Sequence, residues 1–344
     1  MHIYEYLFTA IIIVTILLAS STMIGTLSGP SRSVSEKEQL KVAAQKIITQ
    51  LLLDTGDPSD WGSDVTIDES NLKAFGLAKH GETTRDAYVL DPDKVLRLDN
   101  THPLFIHPSR IINLLNLGKE YGLTLEIFPA IKVNLTIDSN EYKVKVSSEY
   151  GELPIFGADV TARMYYASNG AINRSLTLTS QTRANGECTF NFGNISSEMK
   201  VLILGINYYG VRVVKVFPAG SVAKAHFVGN HLFLNEAYNI SGNEAYEIIV
   251  EKRDGGYMIE DVKFSLDKVG DVKFDLTYVE PSTVAILAIS EDGTKLIFAS
   301  KEVNLTYSSI PGVWSFPFAY SVERSVVIGG SAYIVRMYLW RMSW

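Results

Sequence analysis

Val201-Leu202-Ile203-Leu204-Gly205-Ile206-Asn207-Tyr208, then Tyr209-Gly210, then Val211-Arg212-Val213-Val214-Lys215-Val216-Phe217 reads as strand, two-residue turn and strand. Apolar and β-branched side chains fill both arms, and the glycine supplies the positive dihedral that a tight hairpin needs. The same grammar extends outward in both directions. Val160–Tyr165, Leu176–Thr179 and Cys188–Phe192 are strand-like runs, with turn chemistry at Asn169-Gly170 and Asn185-Gly186. Short strands at this spacing, with no helical stretch between them, predict a small β-sandwich. Val222 to Trp344 continues likewise, with turns at Asp254-Gly255-Gly256, Asp292-Gly293 and Gly329-Gly330. The closing run Tyr333 to Trp340 contains Arg336 and is too short for a helical membrane span, so it reads as a buried strand.

Upstream the period changes. Leu123–Ile127 and Tyr142–Val146 still alternate as half-buried strands do. Before them, Pro108-Ser109 starts a helical turn carrying Ile111, Ile112, Leu114 and Leu115, and Gly118 ends it. Asp91-Pro92-Asp93 starts another, with Val95, Leu96 and Leu98. Ser35-Glu36-Lys37-Glu38 is a capping box, followed at helical spacing by Leu40, Ala44, Ile47 and Leu51 and stopped by Asp54-Thr55-Gly56-Asp57-Pro58. Leu7 to Leu27 carries no charge, and its length suits a helix crossing a bilayer. A membrane anchor is expected there, the alternative being a cleaved signal peptide with small residues at Ala19-Ser20-Ser21.

The expected organisation is therefore a transmembrane anchor (1–30), an amphipathic helix with an α+β region (31–148), a sandwich (149–218) and a second β-rich domain (219–344). Arg32, Lys37, Lys41 and Lys46 follow the span, which by charge alone favours a cytoplasmic C-terminal part. Five glycosylation sequons, at Asn134, Asn173, Asn194, Asn239 and Asn304, favour the outside. The expectation is a single-pass cell-membrane protein with its large C-terminal part extracellular. The net charge of −7 over 344 residues, without a basic stripe, points away from nucleic acid as a partner. Cys188 is the only cysteine, so no intramolecular disulfide forms, and its alternating context predicts a small buried residue.

Chemistry-bearing patterns are sparse. Leu51-Leu52-Leu53-Asp54-Thr55-Gly56 matches the hydrophobic-Asp-Thr-Gly of aspartic proteases, and Val201–Gly205 their later hydrophobic-Gly run. Those enzymes need two carboxylates sharing a proton, on loops that leave strands, whereas Asp54 ends a helix pattern. Asp54, Asp57, Asp60 and Asp64 are weak calcium candidates without the glycine and terminal glutamate of an EF-hand loop, and turn capping is the better reading. His102 and His107, like His226 and His231, are spaced five apart, which suits chelation on neither strand nor helix. A non-enzymatic protein without a cofactor is expected.

Two resemblances add to this reading. Glu5 ahead of an apolar helix that passes into an amphipathic one resembles a mature type IV pilin, which implies an assembly role for Glu5 against a neighbouring subunit's N-terminus. Within Leu51–Trp61, the Gly56-x-Pro58-x-x-Trp61 element resembles one in archaeal pilin-like surface proteins, as do Gly76-Leu77-Ala78, Leu90-Asp91-Pro92-Asp93-Lys94-Val95 and the closing strand. Gly157-Ala158-Asp159-Val160-Thr161 and Thr182 to Phe190 resemble the immunoglobulin-like repeats of adhesins. Together they imply a pilin-like subunit, or a membrane-held component of a filament or envelope complex, that self-associates and displays β-sandwich domains. The alternative is a monomeric anchored binding module for a glycan, peptide or other surface ligand, using aromatics such as Tyr208-Tyr209 or Trp314, Phe316 and Phe318.

Overall fold

The computed structural model describes residues 36–81, 87–118, 120–138, 140–149, 152–253, 256–279, 282–310 and 319–342. Helix α1 covers 36–53. It is followed by β1 (Val89–Leu90), α2 (Pro92–Leu96), α3 (Pro108–Leu114) and β2 (Tyr121–Pro129). The next eight strands are β3 (Ile131–Asp138), β4 (Glu141–Ser148), β5 (Asp159–Ser168), β6 (Ala171–Arg174), β7 (Leu178–Gln181), β8 (Glu187–Asn191), β9 (Lys200–Tyr208) and β10 (Val211–Ala219). Seven more follow as β11 (Val222–Val228), β12 (His231–Leu234), β13 (Ile240–Arg253), β14 (Gly256–Lys268), β15 (Lys273–Leu276), β16 (Thr283–Ser290) and β17 (Leu296–Ser300). The chain closes with β18 (Leu305–Ser308), β19 (Ala319–Ile328) and β20 (Ser331–Arg341).

Three modules result. In the first, α1 lies on a sheet of order β1-β19-β20-β2-β18. Its stripe Ala44, Ile47, Ile48, Leu51 and Leu52 shares a core with Leu123, Leu125 and Ile127 of β2 and with Val335, Met337 and Leu339 of β20. Strands β2 and β18 are antiparallel neighbours, Ile127 opposite Leu305, so residues 130–304 leave this sheet and return to it at one edge. Everything between them is an insertion of two further modules.

The second module is a sandwich of β3-β4-β8 against β10-β9-β5-β6, with β7 also on β5. Strands β3 and β4 belong to it, ahead of the boundary at residue 149 read from the sequence. The third is a closed barrel, β11-β12-β15-β14-β13-β16-β17, with β11 parallel to β17. Phe227, Leu232, Phe274, Ile286 and Ile297 fill its interior.

The continuous apolar run of Val201–Ile206 follows from its position in the fold. Strand β9 is covered on both faces. Leu202, Leu204 and Ile206 point into the sandwich core, while Val201 and Ile203 join a second core with Ile248, Val250, Leu287 and Phe298 of the barrel. Strand β16 mirrors this: Ile286 and Ala288 face the barrel interior, Ala285, Leu287 and Ile289 the sandwich. A strand buried on both faces loses the polar alternation of a half-exposed one. Arg163 pins the same interface. It donates to the Ile259 carbonyl at 2.7 Å and pairs at 3.2 Å with Asp261, which Arg174 also contacts.

Three expectations are corrected. The architecture is mainly β, and no helix among the described residues is long and apolar enough to cross a membrane. The one long described helix, α1, is amphipathic and carries Glu36, Lys37, Glu38, Lys41 and Lys46, charges that a hydrocarbon core would not accept. The fold class of a transmembrane helix running into an α+β region gives way to the mainly-β one. The single-pass cell-membrane localisation, and the transmembrane and pilin-like character read with it, are corrected on the same finding. The stretch Leu7–Leu27, Glu5 and the aromatics Trp314, Phe316 and Phe318 lie outside the described residues.

Candidate functional site

The segment from Asp54 to Gly81 crosses the first module with only isolated bridges, at Asp57 with Ala74 and Ala78 with Leu90. Its carbonyls need other donors. Two cations with no exposed surface supply them. Lys94 Nζ donates to the Thr55 and Ala78 carbonyls at 2.8 Å each, and Arg97 donates to those of Ile67 and Asp64, also at 2.8 Å. Arg110 holds Glu69, Ser70 and Leu72 in the same way. Burial lowers the Lys94 ammonium and brings the Arg97 guanidinium down to about 10, with neighbouring carboxylates opposing both shifts.

These contacts explain the Gly-x-Pro-x-x-Trp pattern. Trp61 is buried and its Nε1 donates to the Gly76 carbonyl at 3.1 Å. Gly56, at a φ of 78°, leaves room for that ring, since a side chain there would meet Trp61 Nε1 and the Ala74 carbonyl at 2.8 Å. Leu77 donates to the Leu51 carbonyl and Asp91 to that of Leu77. The three quoted segments therefore meet around one tryptophan, and they fix α2 in place.

Fixing α2 aims Asp93 toward the barrel. Ser63, Asp93, Gly229, Asn230, His231, Val279 and Lys301 line a cleft of about 400 Å³ between the two modules. One Asp93 oxygen, Oδ1, is shut off from solvent and has no hydrogen-bond partner, while the Gly229 N–H donates to the carboxyl. Burial pushes this carboxyl up to about 6, Asp91 adding to the rise and Lys301 and Arg97 opposing it. Lys301 stands across the cleft with its ammonium 5.5 Å over the Phe227 ring. Burial lowers its pKa, and Asp93 is the strongest influence the other way. His231 Nδ1 lies 2.6 Å from Asp275 Oδ1, a contact that fixes the orientation of the ring. Ser63 Oγ donates to the Asp60 carbonyl at 3.2 Å. The cleft thus combines a carboxylate, an ammonium, an imidazole and an amide.

The same interface buries two histidines. His102 Nε2 lies 3.2 Å from the Phe227 carbonyl, and its ring meets that of His226 edge to face at 5.4 Å. Burial takes both imidazoles down to about 4. Their sequence neighbours five positions away, His107 and His231, take no part in this contact. The real pairing joins residues 124 positions apart in different modules, and no local pattern encodes it.

A second surface lies at the β9–β10 turn. Tyr209 is 92% exposed and adopts a φ of 47°. Its ring packs edge to face on Tyr208 at 4.7 Å.

The other sequence candidates are scattered. Asp54 Oδ1 accepts from the Gly56 N–H at 2.8 Å, and Asp64 Oδ1 takes both donors of Thr66, which hold its carboxyl below the usual range. The Asp57 carbonyl accepts from Lys73 at 2.8 Å, and the Asp60 carbonyl from Ser63 at 3.0 Å. No group of three acidic, histidine or cysteine side chains among the described residues is placed to hold a metal. Asn134, Asn194, Asn239 and Asn304 are exposed and Asn173 is half-buried, its Nδ2 reaching the Ser168 and Ala171 carbonyls. Cys188 is buried in the sandwich core and burial pushes its thiol up to about 11.

No family model and no curated protein matches the chain. Among solved structures, the human GIVD cytosolic phospholipase A2 in complex with methyl gamma-linolenyl fluorophosphonate is 10% identical, with a TM-score of 0.11. The alignment covers 65% of this chain and 33% of that one, a likeness too slight to carry an argument.

Proposed function

We propose that the chain is a non-enzymatic recognition protein, a rigid set of three β modules that presents an aromatic hairpin tip to a glycan or peptide ligand. The observation that carries this reading is Tyr209. A fully displayed aromatic ring forfeits the burial that ordinarily stabilises it, and a left-handed backbone costs a residue other than glycine about 1 kcal/mol. An asparagine would turn the same hairpin at lower cost. A tyrosine kept there in spite of both penalties fits a contact made with something outside the chain, because tyrosine offers large amphipathic contact area at a small entropy cost. Two tyrosines packed on each other also hold their rings in place before binding.

Glycan and peptide arrays probed with the full chain and with its Tyr209→Ala variant test the reading. Capture of a defined glycan or peptide set by the natural chain is expected, weakened at least about tenfold by the substitution, as for an interface hot spot. Equal capture by both proteins, or blank arrays beside ordered self-assembly of the chain, would contradict it.

A further inference from the structure

We propose that the cleft between the first module and the barrel binds a small zwitterion of the α-amino-acid class, with the ligand's ammonium on Asp93 and its carboxylate on Lys301. The proposal is independent of the Tyr208–Tyr209 tip.

Asp93 lines the cleft from α2. Gly229 satisfies part of the carboxyl, but Oδ1 is enclosed without a donor. The carboxyl as a whole still lines the cleft, where a charged ligand donor would join Gly229 in compensating a carboxylate that is costly to bury. Across the same cleft, Lys301 carries the complementary demand. Its stem is packed so that the ammonium stands over the Phe227 ring, which supplies an attractive face and no hydrogen-bond acceptor of its own. Each group is the other's main favourable charge. A ligand with an ammonium at one end and a carboxylate at the other serves both at once, and a lone amine or acid serves one.

The remaining lining fits the same class. His231 is oriented by Asp275, and Asn230 adds amide donors and an acceptor for a polar side chain. Val279 is the apolar wall. A volume of about 400 Å³ lies at the lower end of ordinary small-ligand pockets. Because the walls come from α2, the β11–β12 turn and the segment after β17, an occupant would bridge the first module to the barrel.

The test is isothermal titration calorimetry of the full chain with each of the twenty common α-amino acids. Matched primary amines, matched carboxylic acids and D-glucose serve as controls. Saturable binding of one or more amino acids is expected, with at least tenfold weaker binding of the matched amine and acid. Asp93→Asn and Lys301→Met should each weaken binding about tenfold or more. Lys301→Met keeps the packed stem, and circular dichroism with thermal melting establishes that each variant is folded. Saturation by D-glucose alone, binding unaffected by both folded variants, or no saturable heat with any amino acid would overturn the proposal.

Discussion

Arg97 shows how the irregular part of the first module is built. Its side chain has no exposed surface, and its two terminal nitrogens replace the strand or helix that residues 64 to 67 lack. Removing the donors would strand two inward carbonyls at about 1–3 kcal/mol each. Arg97→Met is therefore expected to lower unfolding free energy by about 2–6 kcal/mol, whereas a surface Arg→Met would change it little. Urea unfolding followed by tryptophan fluorescence measures the difference. Little of this was legible from composition. Lys94 and Arg97 sit in a short helical pattern where exposed cations are the ordinary expectation. Trp61 and Gly56 stood out as a motif, but only the fold shows that one makes room for the other. Asp93 reads as a helix-starting residue, and its place in one cleft with Lys301, 208 positions away, is something no spacing records.

At the level of elements, local periodicity carried far. The run from Val201 to Phe217 became the β9–β10 hairpin, and the Leu40–Leu51 stripe became the buried face of α1. Partnership was harder to read. Strands around Leu123–Ile127 and Tyr142–Val146 have the same alternation, yet one sits in the first module's sheet and the other in the sandwich. Period two fixes which face is buried and is silent about which sheet buries it.

The meeting of β11 with the segment after α2 makes the molecule sensitive to pH. His102 and His226 are held near 4 by burial, below the ordinary 6.5. Above pH 6.5 neither the folded nor the unfolded chain protonates them. As pH falls from about 6.5 to about 4, the unfolded chain takes up protons that the folded one refuses, so stability is lost, by up to about 3 kcal/mol per histidine. Asp93 acts in the opposite sense. Raised from 3.8 to about 6, it takes its proton first in the folded state, which offsets part of the loss over the same range. Denaturant unfolding at pH 7 and pH 5 should show the natural chain weaker at pH 5. The His102→Gln, His226→Gln double variant should lose distinctly less, and an equal loss would refute this origin.

On the scale of the whole molecule, the two-sheet sandwich and the closed barrel have merged their outer faces. The sheet containing β5, β9 and β10 serves as a wall of both cores, so neither module keeps its surface if the other leaves. The barrel is in turn tied to the first module through His102, through Gly229 packed on Ser63, and through the Lys224–Asp99 pair at 3.3 Å. That continuity predicts that the β9–β10 hairpin carrying Tyr208 and Tyr209 melts together with all three modules, as the proposed recognition role requires. Differential scanning calorimetry of the full chain tests it most directly. A single endotherm, with calorimetric and van't Hoff enthalpies in agreement, is the predicted result. Two or more resolved transitions, with the sandwich and the barrel melting apart, would contradict it.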